Sequence, residues 1–249
     1  MFVIAHRGAC KYAPQNSLEA FRIASELGAD GVETDVRVTK DGKLVLCHNT
    51  KINKLSNGKG RVSKLYYEQL QTYDFGSWFG SRYENTTIPT LKEFLDVMKD
   101  TNAGIIDIEL KPVSGNDLSF VAELLYEAEK AGLTDKLLIS SFDYKILNKV
   151  KSLNENVKVG FLYPRAGVKA IKDWVKSPID MALRFNFDYL LPFMGYTSEA
   201  LIRKAHKMGL KVAPWTINEI TDAHKLIQWG ADGLITDYPN IMKNKIESM

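Results

Sequence analysis

The 249-residue chain has only two cysteines, Cys10 and Cys47, too few for a disulfide framework, and both are expected as reduced thiols. It lacks long apolar runs: none approaches the roughly 20 residues that span a bilayer, which excludes stable membrane insertion. It also lacks charge of one sign. Thirty-three Lys and Arg oppose 30 Asp and Glu, a net +3 with no basic block, which excludes a nucleic-acid partner. Proline (8) and glycine (17) are too sparse for a collagen or a low-complexity chain. The start, Met1 to His6, turns polar too soon for a signal peptide, so a cytoplasmic location is expected. Hydrophobic content of 45% and charged content of 25% are those of a globular protein.

What is present is an alternation. Short β-branched runs lie at 2–6, 31–38, 104–110, 137–142, 158–163, 188–192, 210–216 and 233–237. Amphipathic helical stretches fall at 17–28, 116–132, 143–153, 198–209 and 219–230. This is the pattern of βα units and a parallel sheet. Eight units in about 250 residues favour a closed (β/α)₈ barrel over a doubly wound open sheet. Asn16 followed by Glu19 reads as a capping box, and Gly28, Gly132, Gly209 and Gly230 stand where C′ glycines end helices. Gly28-Ala29-Asp30-Gly31 recurs as Gly230-Ala231-Asp232-Gly233, each leading into a strand. Residues 49–89 break the rhythm with seven aromatics and no clear buried strand, and read as an insertion within a single 1–249 domain.

Polar residues gather at the C-terminal ends of the strands, which in a barrel converge on one mouth. Glu33 and Asp35, two apart, face one side of their strand, and Glu109 converges on them from the next. Three hard carboxylate ligands suit one divalent cation, Mg²⁺ or Ca²⁺. The alternative is a set of structural ion pairs with Arg37 or Lys111. Lys40-Asp41-Gly42 reads as a hairpin turn that pairs residue 35 with residue 47 and brings His48 to the carboxylates. His6 ends the first strand. Two histidines flanking such a site suit a general acid and a general base. Arg7 and Lys111 suit phosphate contacts, and Phe142 and Trp215, at their strand ends, an apolar substrate wall. His206 and His224 fall on helices, as surface or packing residues.

The chain resembles the glycerophosphodiester phosphodiesterase family. The matching segments run in order: His6-Arg7-Gly8, Pro14-Gln15-Asn16-Ser17, Gly28 to Val36, Thr39-Lys40-Asp41-Gly42 and His48. They continue with Asp74 to Phe79, Ile88-Pro89-Thr90-Leu91, Ile108 to Lys111, Ser141-Phe142, Trp215 to Asn218 and Gly233 to Asp237. The resemblance implies a barrel that hydrolyses glycerophosphodiesters to sn-glycerol 3-phosphate and an alcohol. It implies His6 and His48 as the acid–base pair, Glu33, Asp35 and Glu109 as metal ligands, and Arg7 and Lys111 as phosphate contacts. Expected partners are the small-molecule substrate and, left open, a second copy in a homodimer. The chain departs from the family at Gln15 (Glu is usual), Asn49 (Asp) and Lys54 (Arg). Two other readings stay open: a phospholipase-like barrel that acts on lysophospholipids or releases a cyclic phosphate, and a silent phosphodiester-binding barrel. A redox-sensitive pairing of Cys10 with Cys47 is a further option.

Overall fold

Buried β-branched runs become strands whose alternate side chains point in opposite directions. In the computed structural model, which describes residues 1–113, 115, 117–163 and 178–248, nine strands form one sheet. They are β1 (Phe2–Ala5), β2 (Gly31–Val38), β3 (Leu44–Leu46), β4 (Ile105–Leu110), β5 (Leu137–Ser141), β6 (Lys158–Tyr163), β7 (Tyr189–Pro192), β8 (Lys211–Val212) and β9 (Gly233–Thr236). Eight run parallel in the order β8-β7-β6-β5-β4-β2-β1-β9, and β3 pairs antiparallel with β2. The two ends of that order meet through Asp232 N–H to Val212 O (3.0 Å), Ile235 N–H to Pro214 O (2.9 Å) and Ile217 N–H to Ile235 O (2.8 Å). The fold is a (β/α)₈ barrel. The eighth strand is far shorter than the expected 210–216, because Pro214 has no N–H to give to a ladder.

The helices α1 (Leu18–Glu26), α4 (Ser119–Lys130), α5 (Tyr144–Leu153), α7 (Glu199–Lys207) and α8 (Ile220–Trp229) match the expected stretches; residue 116, where the second was to begin, lies outside the described residues. Three more, α3 (Leu91–Lys99), α6 (Pro178–Arg184) and α9 (Pro239–Glu247), were not read from periodicity. α3 carried a readable signal: Thr90 Oγ1 accepts from Glu93 N–H while the Glu93 carboxylate accepts from Thr90 N–H. Outward-facing Val3, Val32, Val36, Ile106, Ile108 and Ile139 pack under the helices. Inward-facing Leu138, Leu162, Tyr189, Leu191 and Ala213 fill the barrel against Phe2, Ile105, Phe142 and Trp215.

The repeated Gly-Ala-Asp-Gly has one structural meaning at both sites. Gly28 (φ 76°) and Gly230 (φ 77°) are left-handed helix ends. The aspartate then accepts from the neighbouring strand's first free N–H: Asp30 Oδ2 from Val3 and Asp232 Oδ2 from Val212, each 2.8 Å. The expected Asn16 cap is corrected. Ser17 is the N-cap of α1, its Oγ accepting from Ala20 N–H at 3.1 Å, which leaves Asn16 free to turn inward.

Residues 49–89 contain no strand, only the short helix α2 (Tyr67–Gln71) and single turns. Ile52, Leu55, Val62, Leu70, Phe75 and Ile88 form a small core with Val45 and Cys47. Phe79 and Tyr83 leave that core and pack on Ala13 and Ala20 instead. Among the described residues no helix is long and apolar enough to cross a membrane.

Candidate active site

Strand register assembles the site. β1 and β9 run side by side in parallel with Ala5 against Thr236, so the next residues, His6 and Asp237, come together. Glu33 lies against Asp107 and Asp35 against Glu109 across β2 and β4. Odd-numbered residues of both strands face inward, and Lys111 continues that face. The β2–β3 hairpin has the expected register: Val36 opposes Leu46, and Cys47 N–H donates to Asp35 O at 2.9 Å, which leads His48 to the mouth.

Glu33, Asp35 and Glu109 are all buried, and each offers an oxygen within 4.8 Å of the others'. Lys111 Nζ lies 2.6 Å from Asp35 Oδ1 and 2.5 Å from Glu109 Oε1. Arg7 Nε lies 3.3 Å from Asp35 Oδ2, and Arg7 N–H donates to Glu33 Oε2 at 2.8 Å. Of the two cations named in the alternative of structural ion pairs, Lys111 makes such pairs and Arg37 does not. Arg37 instead donates through Nε and Nη2 to the carbonyl of His48, at 3.1 and 2.6 Å.

Four buried carboxylates, Asp107 included, face two cations. Burial pushes Glu33 well above the usual carboxylate range, and the charge of Asp35 adds to it. Burial lifts Asp107 to about 8 and Glu109 to about 7, where Lys111 opposes the rise. Asp35 moves the other way. Lys111 and Arg7 outweigh its burial and hold it well below the usual range. A carboxylate cluster this short of positive charge fits a divalent cation, and its all-oxygen donors suit Mg²⁺ or Ca²⁺.

Both imidazoles sense Asp35. His6 Nδ1 and Asp237 Oδ1 are 2.6 Å apart. Burial lowers the His6 pKa and the Asp237 bond opposes it. Asp237, despite its own burial, is held well below its ordinary value by His6. Asn218 Nδ2 donates to Asp237 Oδ2 at 2.8 Å. His48 Nδ1 bonds Asn49 Oδ1 at 2.8 Å, and burial lowers His48 to about 4 against the pull of Asp35.

The three departures take distinct places. Gln15 Oε1 accepts from Arg7 Nη1 at 2.8 Å, Asn49 holds His48, and Lys54 is exposed. Phe142 and Trp215 stand edge to face with centroids 5.7 Å apart, and Trp215 Nε1 donates to Leu191 O at 2.8 Å. Cys10 and Cys47 are free and differently engaged: Cys10 Sγ donates to Asp237 Oδ1, Cys47 Sγ to Asn49 O. Burial raises both thiols, Cys47 to about 11, which disfavours the reactive thiolate. His206 pairs with Asp232 on the helical side, and His224 is half-buried on α8.

Two residues at the site carried no assigned role in the sequence reading. In the sequence Asp237 is a strand end and Asn16 a cap candidate, each within a segment that matches the family but with no role of its own. Asn16 is in the left-handed region (φ 59°) and buried. Its Nδ2 donates to Asp35 Oδ2 at 2.8 Å, and its Oδ1 accepts from Thr34 Oγ1 (2.8 Å) and Asp35 N–H (3.2 Å).

Residues 6–241 match the model of the glycerophosphoryl diester phosphodiesterase family. A glycerophosphodiester phosphodiesterase of Caldanaerobacter subterraneus subsp. tengcongensis is 35% identical over 98% of this chain and 97% of that protein. A phosphodiesterase of Oleispira antarctica, solved with the product sn-glycerol-3-phosphate, superposes with a TM-score of 0.91 at 29% identity, covering 99% of this chain and 97% of that one. The glycerophosphodiester phosphodiesterase of Thermotoga maritima superposes with a TM-score of 0.76 at 25% identity, covering 98% and 97%. This chain belongs to the glycerophosphoryl diester phosphodiesterase family.

Proposed function

We propose that this chain hydrolyses glycerophosphodiesters to sn-glycerol 3-phosphate and an alcohol, using Mg²⁺ or Ca²⁺ held by Glu33, Asp35 and Glu109. The observation that carries the reading is the placement of two histidines around one buried carboxylate cluster, with Arg7 and Lys111 at its edge. The product solved with the Oleispira relative supports it. When bound, the cation supplies positive charge that screens the phosphate oxygens from attack-disfavouring repulsion.

Arg7 and Lys111 contact the phosphate, and Phe142 and Trp215 line the carbon skeleton. His48, neutral at pH 7, takes the proton of the glycerol hydroxyl next to the phosphate, whose oxygen then attacks phosphorus. His6, whose charged form Asp237 stabilises, gives a proton to the leaving alcohol oxygen as its bond to phosphorus breaks. A cyclic phosphate forms, and water opens it with the two roles reversed. Residues 1–249 act as one phosphodiesterase domain, with 49–89 as an insertion beside the mouth.

The test is a coupled assay for glycerol 3-phosphate with several glycerophosphodiesters, with and without EDTA. The expected result is cation-dependent product that His6→Ala and His48→Ala abolish while circular dichroism stays unchanged. No product on any substrate overturns the reading, and a persistent cyclic phosphate moves it to the phospholipase-like alternative.

A further inference from the structure

Just past His6 the chain turns back and sets a thiol beside the same aspartate. Arg7 (φ 56°) and Gly8 (φ 73°) are consecutive left-handed residues, and a Cβ on Gly8 would stand 2.7 Å from the Ala20 carbonyl carbon. The reversal is held by Cys10 N–H to Gly8 O (2.9 Å) and Ala9 N–H to Ala20 O (2.8 Å). Cys10 Sγ thereby reaches Asp237 Oδ1 at 3.3 Å, the same oxygen that His6 Nδ1 approaches at 2.6 Å. The other oxygen is engaged by Asn218 Nδ2 at 2.8 Å. One nitrogen, one sulfur and one oxygen converge, all within 4.8 Å of one another.

This donor set differs in kind from Glu33, Asp35 and Glu109. All-oxygen donors suit Mg²⁺ or Ca²⁺, whereas imidazole with thiolate suits Zn²⁺. Three residues separate His6 from Cys10, a spacing common between paired zinc ligands. Neighbouring ligands of a tetrahedral zinc stand about 3.3–3.7 Å apart, so Cys10 and Asp237 already fit and the His6–Asp237 contact has to open by about 0.7 Å. Both of those side chains lie just beyond strand ends and are 17% exposed, which gives an ion and a water access. Thiolate and carboxylate together neutralise a dication. Burial holds the Cys10 thiol protonated, and a bound dication reverses that. Of the nearby cations, Arg7 is turned to Asp35 and Gln15, and Lys11, 3.9 Å from Asp237 Oδ2, is exposed enough to swing into solvent.

We infer that His6, Cys10 and Asp237 form a second metal site, one that takes a single Zn²⁺ with water as the fourth ligand and silences the enzyme while it is filled. The silencing rests on the phosphodiesterase reading above, in which His6 is the acid; the binding does not. Zinc bonds form to Nδ1, Sγ and Oδ1. The thiol proton leaves to solvent, and the neutral ring keeps its one proton on Nε2. A ring metallated at Nδ1 cannot take the second proton that makes it the imidazolium acid, and Asp237 no longer favours that form.

The test uses the full chain in saturating Mg²⁺. Zinc-edge X-ray absorption of the wild type with one equivalent of Zn²⁺ should show one sulfur at about 2.3 Å, and a shell of oxygen and nitrogen alone overturns the inference. Co²⁺ in place of zinc should give a thiolate charge-transfer band that Cys10→Ser abolishes. A band that persists in Cys10→Ser assigns the sulfur to Cys47 and overturns the inference as well. In the glycerol 3-phosphate assay Zn²⁺ should lower kcat, a chelator followed by fresh Mg²⁺ should restore it, and excess Mg²⁺ alone should not. The Zn²⁺ concentration for half-inhibition should rise about tenfold or more in Cys10→Ser, each protein measured against its own zinc-free rate. Inhibition that excess Mg²⁺ relieves, or that is equal in the two proteins, overturns the inference. If the wild type turns over no substrate, the phosphodiesterase reading fails by itself, and the two spectroscopic measurements decide the metal site alone.

Discussion

His6 and Asp237, 231 residues apart, meet at 2.6 Å because β1 and β9 are neighbours at the closure of the barrel. The carboxylate is itself held by Asn218 and receives the Cys10 thiol. It fixes which imidazole nitrogen faces inward and favours the protonated ring. In the proposed reaction Asp237 is a positioning residue. Asp237→Asn keeps the shape and removes the charge, so kcat for glycerol 3-phosphate release should fall by about 10²- to 10³-fold. Cation affinity should be unchanged, since Asp237 lies outside the Glu33–Asp35–Glu109 cluster. A wild-type kcat would remove Asp237 from the mechanism.

The carboxylate cluster makes stability depend on pH and on the cation together. Burial raises Glu109 from 4.5 to about 7, so the folded chain binds a proton there that the unfolded chain has lost. That contribution is fully present below about pH 4.5 and is lost as pH rises through 7. Glu33 shifts in the same direction. Cation binding competes with those protons and relieves the charge left when they go. Saturating Mg²⁺ or Ca²⁺ should therefore raise the melting temperature by about 4–8 °C at pH 8 and by much less at pH 5. Differential scanning fluorimetry at both values, against EDTA controls, checks this, and equal shifts would contradict it.

Asn16 ties α1's entry to β2, the strand of Glu33 and Asp35, through three side-chain bonds. Asn16→Ala leaves Asp35 and Thr34 short of buried partners and puts alanine at a positive φ that asparagine tolerates better. We expect a loss of about 2–4 kcal/mol in urea unfolding. Cation affinity should weaken by about 10- to 100-fold, because Asp35 loses its orienting bond.

Much of this was legible in the sequence for local reasons. Period-2 alternation alone put Glu33 and Asp35 on one face, and the Lys40-Asp41-Gly42 turn fixed the 35–47 pairing that delivers His48. What was hidden depended on closure or on backbone conformation. Nothing near His6 announces Asp237, because their pairing exists only once β9 lies against β1. Asn16 looked like a cap because its left-handed turn, which makes Ser17 the cap instead, leaves no periodic trace. The short β8 follows from Pro214, a signal available but outweighed by the apolar run around it.

Asn49 offers the sharpest pH test. Its Oδ1 accepts from His48 Nδ1–H, which leaves Nε2 as the free base nitrogen. Being neutral, Asn49 does little to favour the charged ring, and burial lowers His48 to about 4. Asn49→Asp, the residue more usual in the family, places a carboxylate at the same 2.8 Å contact and should raise the His48 pKa by roughly one unit or more. If neutral His48 accepts the proton, the acidic limb of the kcat/KM profile should move to higher pH by the same amount. For a rise of one unit, activity should then fall about twofold at pH 5 and about fivefold at pH 4, while activity at pH 8 stays near that of the wild type. A profile that does not move would separate His48 from proton transfer and leave it a binding role.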